Sequence, residues 1–250
     1  MIVGRGLLAQ AFGPHFAEDP RFVIFASGVS NSLETRPEEF AREAALLREL
    51  VDGDVKRFVY FGSCGATAPE SELTPYMLHK RAMESLVLAA PHGLVLRLPQ
   101  VVGHTGNPRT LTNFLRNHIV SGEHFTVWAR AERNLIDIDD IVEIGSWLVT
   151  ELPPKATAVS IAAIHSLPMP RIVEIFERVL GRTANCTYVE RGAPMIIDTR
   201  MIESLAPQLG IDLGEGYIER VIDKYYAADQ CSDIGNSPPS KACITRTTAP

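Results

Sequence analysis

With 250 residues, 46% of them hydrophobic and 22% charged, the chain has the composition of a globular protein with one large core or two closely joined lobes, which excludes disorder of the whole. Its net charge of -6 offers no basic field for a polyanion, so nucleic acid is not an expected partner; a local arginine or a helix N-terminus still accommodates a small anion. The four cysteines, Cys64, Cys186, Cys231 and Cys243, show neither C-x-x-C pairing nor zinc-like spacing, which argues against a metal site and a disulfide framework.

The chain runs from Met1 straight into a short apolar strand and a glycine turn, leaving no room for a signal-peptide apolar region. No stretch approaches about 18 uninterrupted apolar residues. A cytoplasmic protein without membrane contact is the expectation. In chain order, runs rich in Val, Ile and Phe predict strands at Met1–Val3, Phe22–Ala26, Arg57–Phe61 and Leu94–Leu98, with helices at Leu7–Phe16, Pro37–Val51 and Pro75–Ala89 between them. Thr74 supplies an N-cap for the last helix and Pro75 its first position. This alternation predicts an α/β fold, a Rossmann-like doubly wound parallel sheet covered by helices on both faces.

Beyond His104 the pattern is less regular, with a helix at Thr110–Ser121, a strand at Phe125–Trp128, a helix at Ile138–Glu151, a strand at Ala158–Ile161 and a helix at Pro170–Leu180. The organisation expected is a dinucleotide-binding core over residues 1–103, to which 129–165 contribute, and a smaller C-terminal substrate lobe from 104–128 and 166–227. Residues 228–250, rich in Ser, Pro, Thr and Lys, read as a disordered tail.

The segment Val3-Gly4-Arg5-Gly6-Leu7-Leu8-Ala9 lies between a strand and a helix, the context in which G-x-G-x-x-A reads as a dinucleotide fingerprint. Gly4 allows the tight turn, Gly6 lets a pyrophosphate approach the backbone, and the first helical N–H groups, at Leu7 and Leu8, face the phosphates. A glycine pair at such a junction is also often only a turn. About 20 residues on, where an acidic residue would bind ribose hydroxyls, stands Ala26-Ser27-Gly28. Arg5 with Ser27 or Ser30 suits a 2′-phosphate, so the cofactor is NAD or NADP, with a lean toward NADP; an exposed surface arginine is the other reading of Arg5.

Tyr76 and Lys80 are four apart on the helix that starts at Pro75, so both emerge from one face. An ammonium beside a phenol stabilises the phenolate and lowers its pKa toward the range of a general acid/base. The hydroxyl such a pair needs beside the substrate oxygen is Ser63, at the end of the strand that begins at Arg57. Y-x-x-x-K also arises by chance; what raises it here is the strand ending in Gly62-Ser63 and the glycine turn before it.

These pieces, together with Phe25-Ala26-Ser27-Gly28, Val59-Tyr60-Phe61-Gly62-Ser63-Cys64, Leu96-Arg97-Leu98-Pro99-Gln100-Val101-Val102-Gly103 and Arg133-Asn134-Leu135-Ile136-Asp137-Ile138-Asp139-Asp140, resemble in order the extended short-chain dehydrogenase/reductases of the NAD-dependent epimerase/dehydratase family, over residues 1 to 225. The resemblance implies Tyr76 as acid/base, Lys80 on the nicotinamide ribose, Ser63 on the substrate oxygen and Pro99 lining the nicotinamide. It also implies a nucleotide-sugar substrate held by Gln100 and Arg133, with Cys64 either touching substrate or filling the core, and a homodimer formed through Pro37–Val51 and Pro75–Ala89. It departs from the family in three places. The segment before Phe22 is too short for the two strands that usually intervene, which implies a truncated adenosine pocket. Gly62 replaces the usual Ser or Thr, and the interval from Ser63 to Tyr76 is compressed.

The leading expectation is reduction of a nucleotide-linked keto-sugar with Tyr76 as proton donor. The alternatives are an epimerase with tightly held NAD and a non-catalytic NAD(P)-binding module.

Overall fold

The computed structural model describes residues 1–227, so the tail expected at 228–250 lies outside the described residues. In chain order the elements are β1 (Ile2–Val3), α1 (Leu7–Phe16), β2 (Phe22–Phe25), α2 (Pro37–Val51), β3 (Arg57–Ser63), α3 (Pro75–Ala89), β4 (Gly93–Leu98), β5 (Gln100–Val102), α4 (Leu111–Ser121) and β6 (Phe125–Trp128). They continue with β7 (Glu132–Arg133), β8 (Leu135–Asp137), α5 (Ile138–Glu151), β9 (Thr157–Ser160), β10 (Leu167–Pro168), α6 (Met169–Leu180), β11 (Cys186–Val189), α7 (Arg200–Leu205) and α8 (Tyr217–Tyr226). The predicted bounds of α1, α2, α3, β6 and α5 coincide with the observed ones. Thr74 caps α3 as its sequence predicts, its hydroxyl accepting from the Met77 N–H at 3.3 Å.

The α/β prediction holds. β1, β2, β3, β4 and β9 form one parallel sheet in that order, with Val3 beside Phe25, Phe25 beside Tyr60, and Tyr60 beside Val95. Alternation along the strands divides the core. Phe22, Ile24, Val59 and Phe61 face α1 and α5, whereas Val23, Phe25, Phe58 and Tyr60 face α2 and α3. The first cluster continues without a break into the C-terminal helices, through Ile172, Phe176, Ile218 and Ile222.

The chain steps across the sheet in one direction from β1 to β4, yet α1 crosses on the face opposite to α2 and α3. The β1-α1-β2 crossover therefore has the opposite hand to the two that follow, a rare exception to the right-handed rule. Removing two strands after α1 leaves this arrangement, because the helix keeps its face while the chain joins a strand on the far side of β1. β1 is consequently the edge of the sheet. No helix among the described residues is long and apolar enough to cross a membrane.

The C-terminal part contains elements that the periodicity of the sequence did not predict: β11, which pairs in parallel with β6, and helices α7 and α8. α8 is tied to the start of α5, where Lys224 reaches Asp137 and Asp139, each at 2.7 Å, and the Tyr225 hydroxyl reaches Asp137 at 2.7 Å.

Candidate active site

The carboxyl ends of the parallel strands gather the predicted residues on one edge of the sheet. Gly4 follows β1, Ser27 and Gly28 follow β2, Ser63 ends β3 opposite Leu98, and Pro99 follows β4. This edge is where ligands bind in open α/β sheets. Gly4 has φ of +128°, and a Cβ there would overlap the Ala26 carbonyl, so the turn requires glycine. A Cβ on Gly6 would meet nothing within 4 Å, which leaves the helix N-terminus open above it. The first helical bond of α1 runs from the Gln10 N–H to the Gly6 carbonyl, so the N–H groups of Leu7 and Leu8 have no helical partner, and no side chain caps them. The Leu7 and Leu8 side chains themselves pack on the core, and Arg5 is exposed.

Tyr76 is half-buried on the first turn of α3. Burial pushes its phenol up to about 12, the Glu43 carboxylate adds to the rise, and a hydrogen bond with Ser63 opposes it. The expected lowering by Lys80 is therefore not what the structure gives. The Lys80 ammonium lies over the Tyr76 ring, 5.9 Å from its centroid, but its hydrogen bonds go to the Tyr60 hydroxyl at 3.0 Å, Glu43 Oε1 at 3.3 Å and the Phe61 carbonyl at 3.4 Å. With Lys80 4% exposed and Glu43 fully buried, the two charges neutralise each other. Burial lowers the Lys80 pKa, and Glu43 raises it in opposition.

Glu43 was not anticipated. Burial alone would raise its carboxyl pKa, but the hydrogen bond from His79 (2.9 Å), the charge of Lys80, the Val29 N–H (2.6 Å) and the Tyr60 hydroxyl (2.7 Å) outweigh it and hold the group at about 2. The sequence did carry a signal, a carboxylate on the apolar stripe Phe40, Ala44, Leu47 and Val51 of α2. Glu84 is the second such residue. It is buried on α3 one turn beyond Lys80, and its Oε2 bonds Arg97 of β4 at 2.9 Å. The compressed loop between Ser63 and Tyr76 is held by Arg81, whose guanidinium donates to the Ala66 and Ala68 carbonyls.

Two strands further along, β5 brings Gln100 beside Asn134, the chain neighbour of Arg133. The Gln100 N–H donates to the Asn134 carbonyl at 3.0 Å, on the β5–β8 ribbon that continues from Arg133. Arg133 is half-buried; its guanidinium donates to the Glu132 carbonyl at 2.7 Å, and burial lowers its pKa. Cys64 is 4% exposed and its thiol is pushed up to about 12 by burial, which places it among the buried side chains.

The profile of the NAD dependent epimerase/dehydratase family matches residues 10–162, more than half of the chain. The chain belongs to this family. The match begins beyond the glycine turn, so that part of the site rests on its geometry. Among solved structures the chain is similar to UDP-glucose 4-epimerase from Thermotoga maritima with UDP-glucose, with a TM-score of 0.65 and 18% identity over 91% of this chain and 81% of that one. It is also similar to UDP-glucose 4-epimerase from Thermus thermophilus in complex with NAD, with 0.65, 16%, 89% and 80% respectively. The dTDP-glucose 4,6-dehydratase from Bacillus anthracis in complex with NAD gives 0.66, 12%, 91% and 76%. At these identities the likeness carries the fold. No curated protein matches the sequence.

The family is NAD-dependent, and the residues present fit part of a dinucleotide. The open Gly6 turn leaves room for a pyrophosphate, and Ser63 and Pro99 stand at the strand ends where a nicotinamide would lie, whereas Lys80, expected on its ribose, is 4% exposed and bonded to Tyr60, Glu43 and the Phe61 carbonyl. The adenosine end does not fit: among the described residues no strand lies beyond β1, and Ala26, Ser27 and Gly28 offer no carboxylate to a ribose.

Proposed function

We propose that the protein is an NAD(P)H-dependent reductase of a nucleotide-linked keto-sugar. The arrangement that carries this reading is Ser63 at the end of β3 and Tyr76 on the first turn of α3, where burial and the Glu43 carboxylate hold the phenol's pKa above its ordinary value. A phenol with a pKa near 12 keeps its proton at neutral pH and is an acid in waiting, the form needed to protonate a carbonyl oxygen. The nicotinamide, when bound, supplies the hydride to the carbonyl carbon.

The chain's own residues do the rest. Tyr76 gives its proton to the substrate oxygen, Ser63 fixes that oxygen by bonding it and the phenol, and Arg133 binds the diphosphate. Half-buried Arg133 has its guanidinium bonded to a carbonyl and, among the described residues, no carboxylate to neutralise it, which supports an anionic ligand there. Exposed Arg5 and the carboxylate-free Ser27-Gly28 turn support acceptance of NADPH.

A truncated adenosine pocket supports an exchangeable cofactor over the permanently held NAD of an epimerase. The epimerase reading keeps its support from the family, and purified protein that retains dinucleotide would favour it.

The test is a thermal-shift panel of NAD(H), NADP(H), UDP and dTDP, followed by turnover of keto-sugar nucleotides by the wild type and Tyr76→Phe. A melting temperature raised by a nicotinamide dinucleotide and by a nucleoside diphosphate, with Tyr76→Phe slowed about 10²-fold or more, supports the proposal. Absence of any shift with either dinucleotide overturns it.

A further inference from the structure

We propose that Glu43 is a positioning residue of this site: it holds Lys80 and cancels its charge, and so sets the proton affinity of Tyr76. The inference rests on the reading of Tyr76 as the proton donor.

A buried carboxylate with four polar neighbours is costly unless each contact is made, and here each is. Oε1 takes the Tyr60 hydroxyl and the Lys80 ammonium; Oε2 takes the Val29 N–H and His79 Nε2. The fit extends to the backbone, since a Cβ on Gly28 would stand 2.6 Å from Lys80 Nζ and 2.9 Å from Glu43 Oε1. His79 closes the outer side and stacks on Phe40, one turn before Glu43, with ring centroids 4.5 Å apart.

The groups facing the pair come from every element around it. They are Glu43 from α2, Tyr60 from β3, and Tyr76, His79 and Glu84 from α3, with Arg97 of β4 already engaged by Glu84. Within this set Lys80 lies over the Tyr76 ring and Glu43 is its direct counter-ion. Coulomb's law then fixes the sign: removing the negative charge of Glu43 eases ionisation of Tyr76, and the more so the longer Lys80 keeps its proton.

The experiment is a phenolate titration of the full chain by ultraviolet difference absorbance, with Tyr76→Phe in each background to isolate the Tyr76 signal. It needs neither cofactor nor substrate, so its outcome is independent of the ligand panel that tests the proposed function. Glu43→Gln should make the phenol about tenfold more acidic or more, a midpoint lowered by about one unit at least. Glu43→Asp, which keeps the charge, should leave the midpoint near that of the wild type. Glu43→Gln with Lys80→Met should return it toward the wild-type value.

A Tyr76 midpoint unmoved in Glu43→Gln overturns the proposal. So does a shift that persists in full in the double variant, because it then arises from the carboxylate's own field or from repacking and not from Lys80. If Glu43→Gln fails to fold, Glu43→Asp with Lys80→Met decides. An uncompensated carboxylate should raise the midpoint above that of the wild type, and no rise refutes the idea.

Discussion

Glu84 Oε1 occupies the position that the Cβ of any larger residue at Gly62 would take. This explains why glycine stands where the family usually has Ser or Thr: a buried carboxylate on α3, bonded to Arg97, leaves no room for a side chain on β3. Glu84 Oε1 itself has no hydrogen-bond partner among the described residues, so the contact is steric.

Gly62→Ser should therefore destabilise the fold by about 1–3 kcal/mol, the usual cost of overpacking. In an Glu84→Ala background the same substitution should cost less than about 0.5 kcal/mol, since the obstruction is gone. Chemical denaturation of the four proteins in this cycle measures the coupling; equal costs in both backgrounds would refute the steric explanation.

The buried Glu43 predicts an acid-sensitive component of stability. Its carboxyl titrates at about 2 in the folded protein against an ordinary value of 4.5. The unfolded chain takes up the proton first, so this contribution is complete above about 4.5 and is lost as pH falls through the folded value. A difference of 2.5 units corresponds to about 3 kcal/mol as an order of magnitude. Denaturation from pH 6 to pH 2 should show the advantage of the wild type over Glu43→Gln shrinking across this window. Asp19, Glu34 and Asp198, also held at about 2, titrate in both proteins and cancel. A gap constant with pH would contradict the assignment.

Because the sheet ends at β1, the adenosine half of a dinucleotide should add little affinity. Reduced nicotinamide mononucleotide is expected to bind within about tenfold of NADH, a difference of about 1.4 kcal/mol or less. Competition calorimetry measures the ratio, and a preference of a thousandfold for NADH would reveal an adenosine site that the strand order does not predict.

Arg133→Ala should weaken UDP or dTDP by about 2 kcal/mol, roughly thirtyfold, and leave dinucleotide affinity unchanged. Arg133→Lys should recover only part of the loss, since an ammonium lacks the planar fork. Equal loss of both ligand classes would point to a folding defect in place of a subsite.

Much of the frame is dictated locally and was legible in the sequence. Pro37 and Pro75 at first helical positions, the Thr74 cap, and the apolar stripes of α2 and α3 fix those helices from neighbours within one or two turns. Tyr76 and Lys80 share a face because of helical spacing alone. What the sequence could not determine depends on parts of the chain that meet far from one another. β11 is a strand because it pairs with β6, some sixty residues earlier, and its run of four residues has no periodicity of its own. Lys80 gives its hydrogen bonds to Glu43 and Tyr60 because the crossover of α2 and the register of β3 bring a carboxylate and a hydroxyl under α3. A helix's own spacing decides which residues share its face; only the packing of several elements in a low-dielectric interior decides which charges meet there, and that choice reversed the expected direction of the Tyr76 shift.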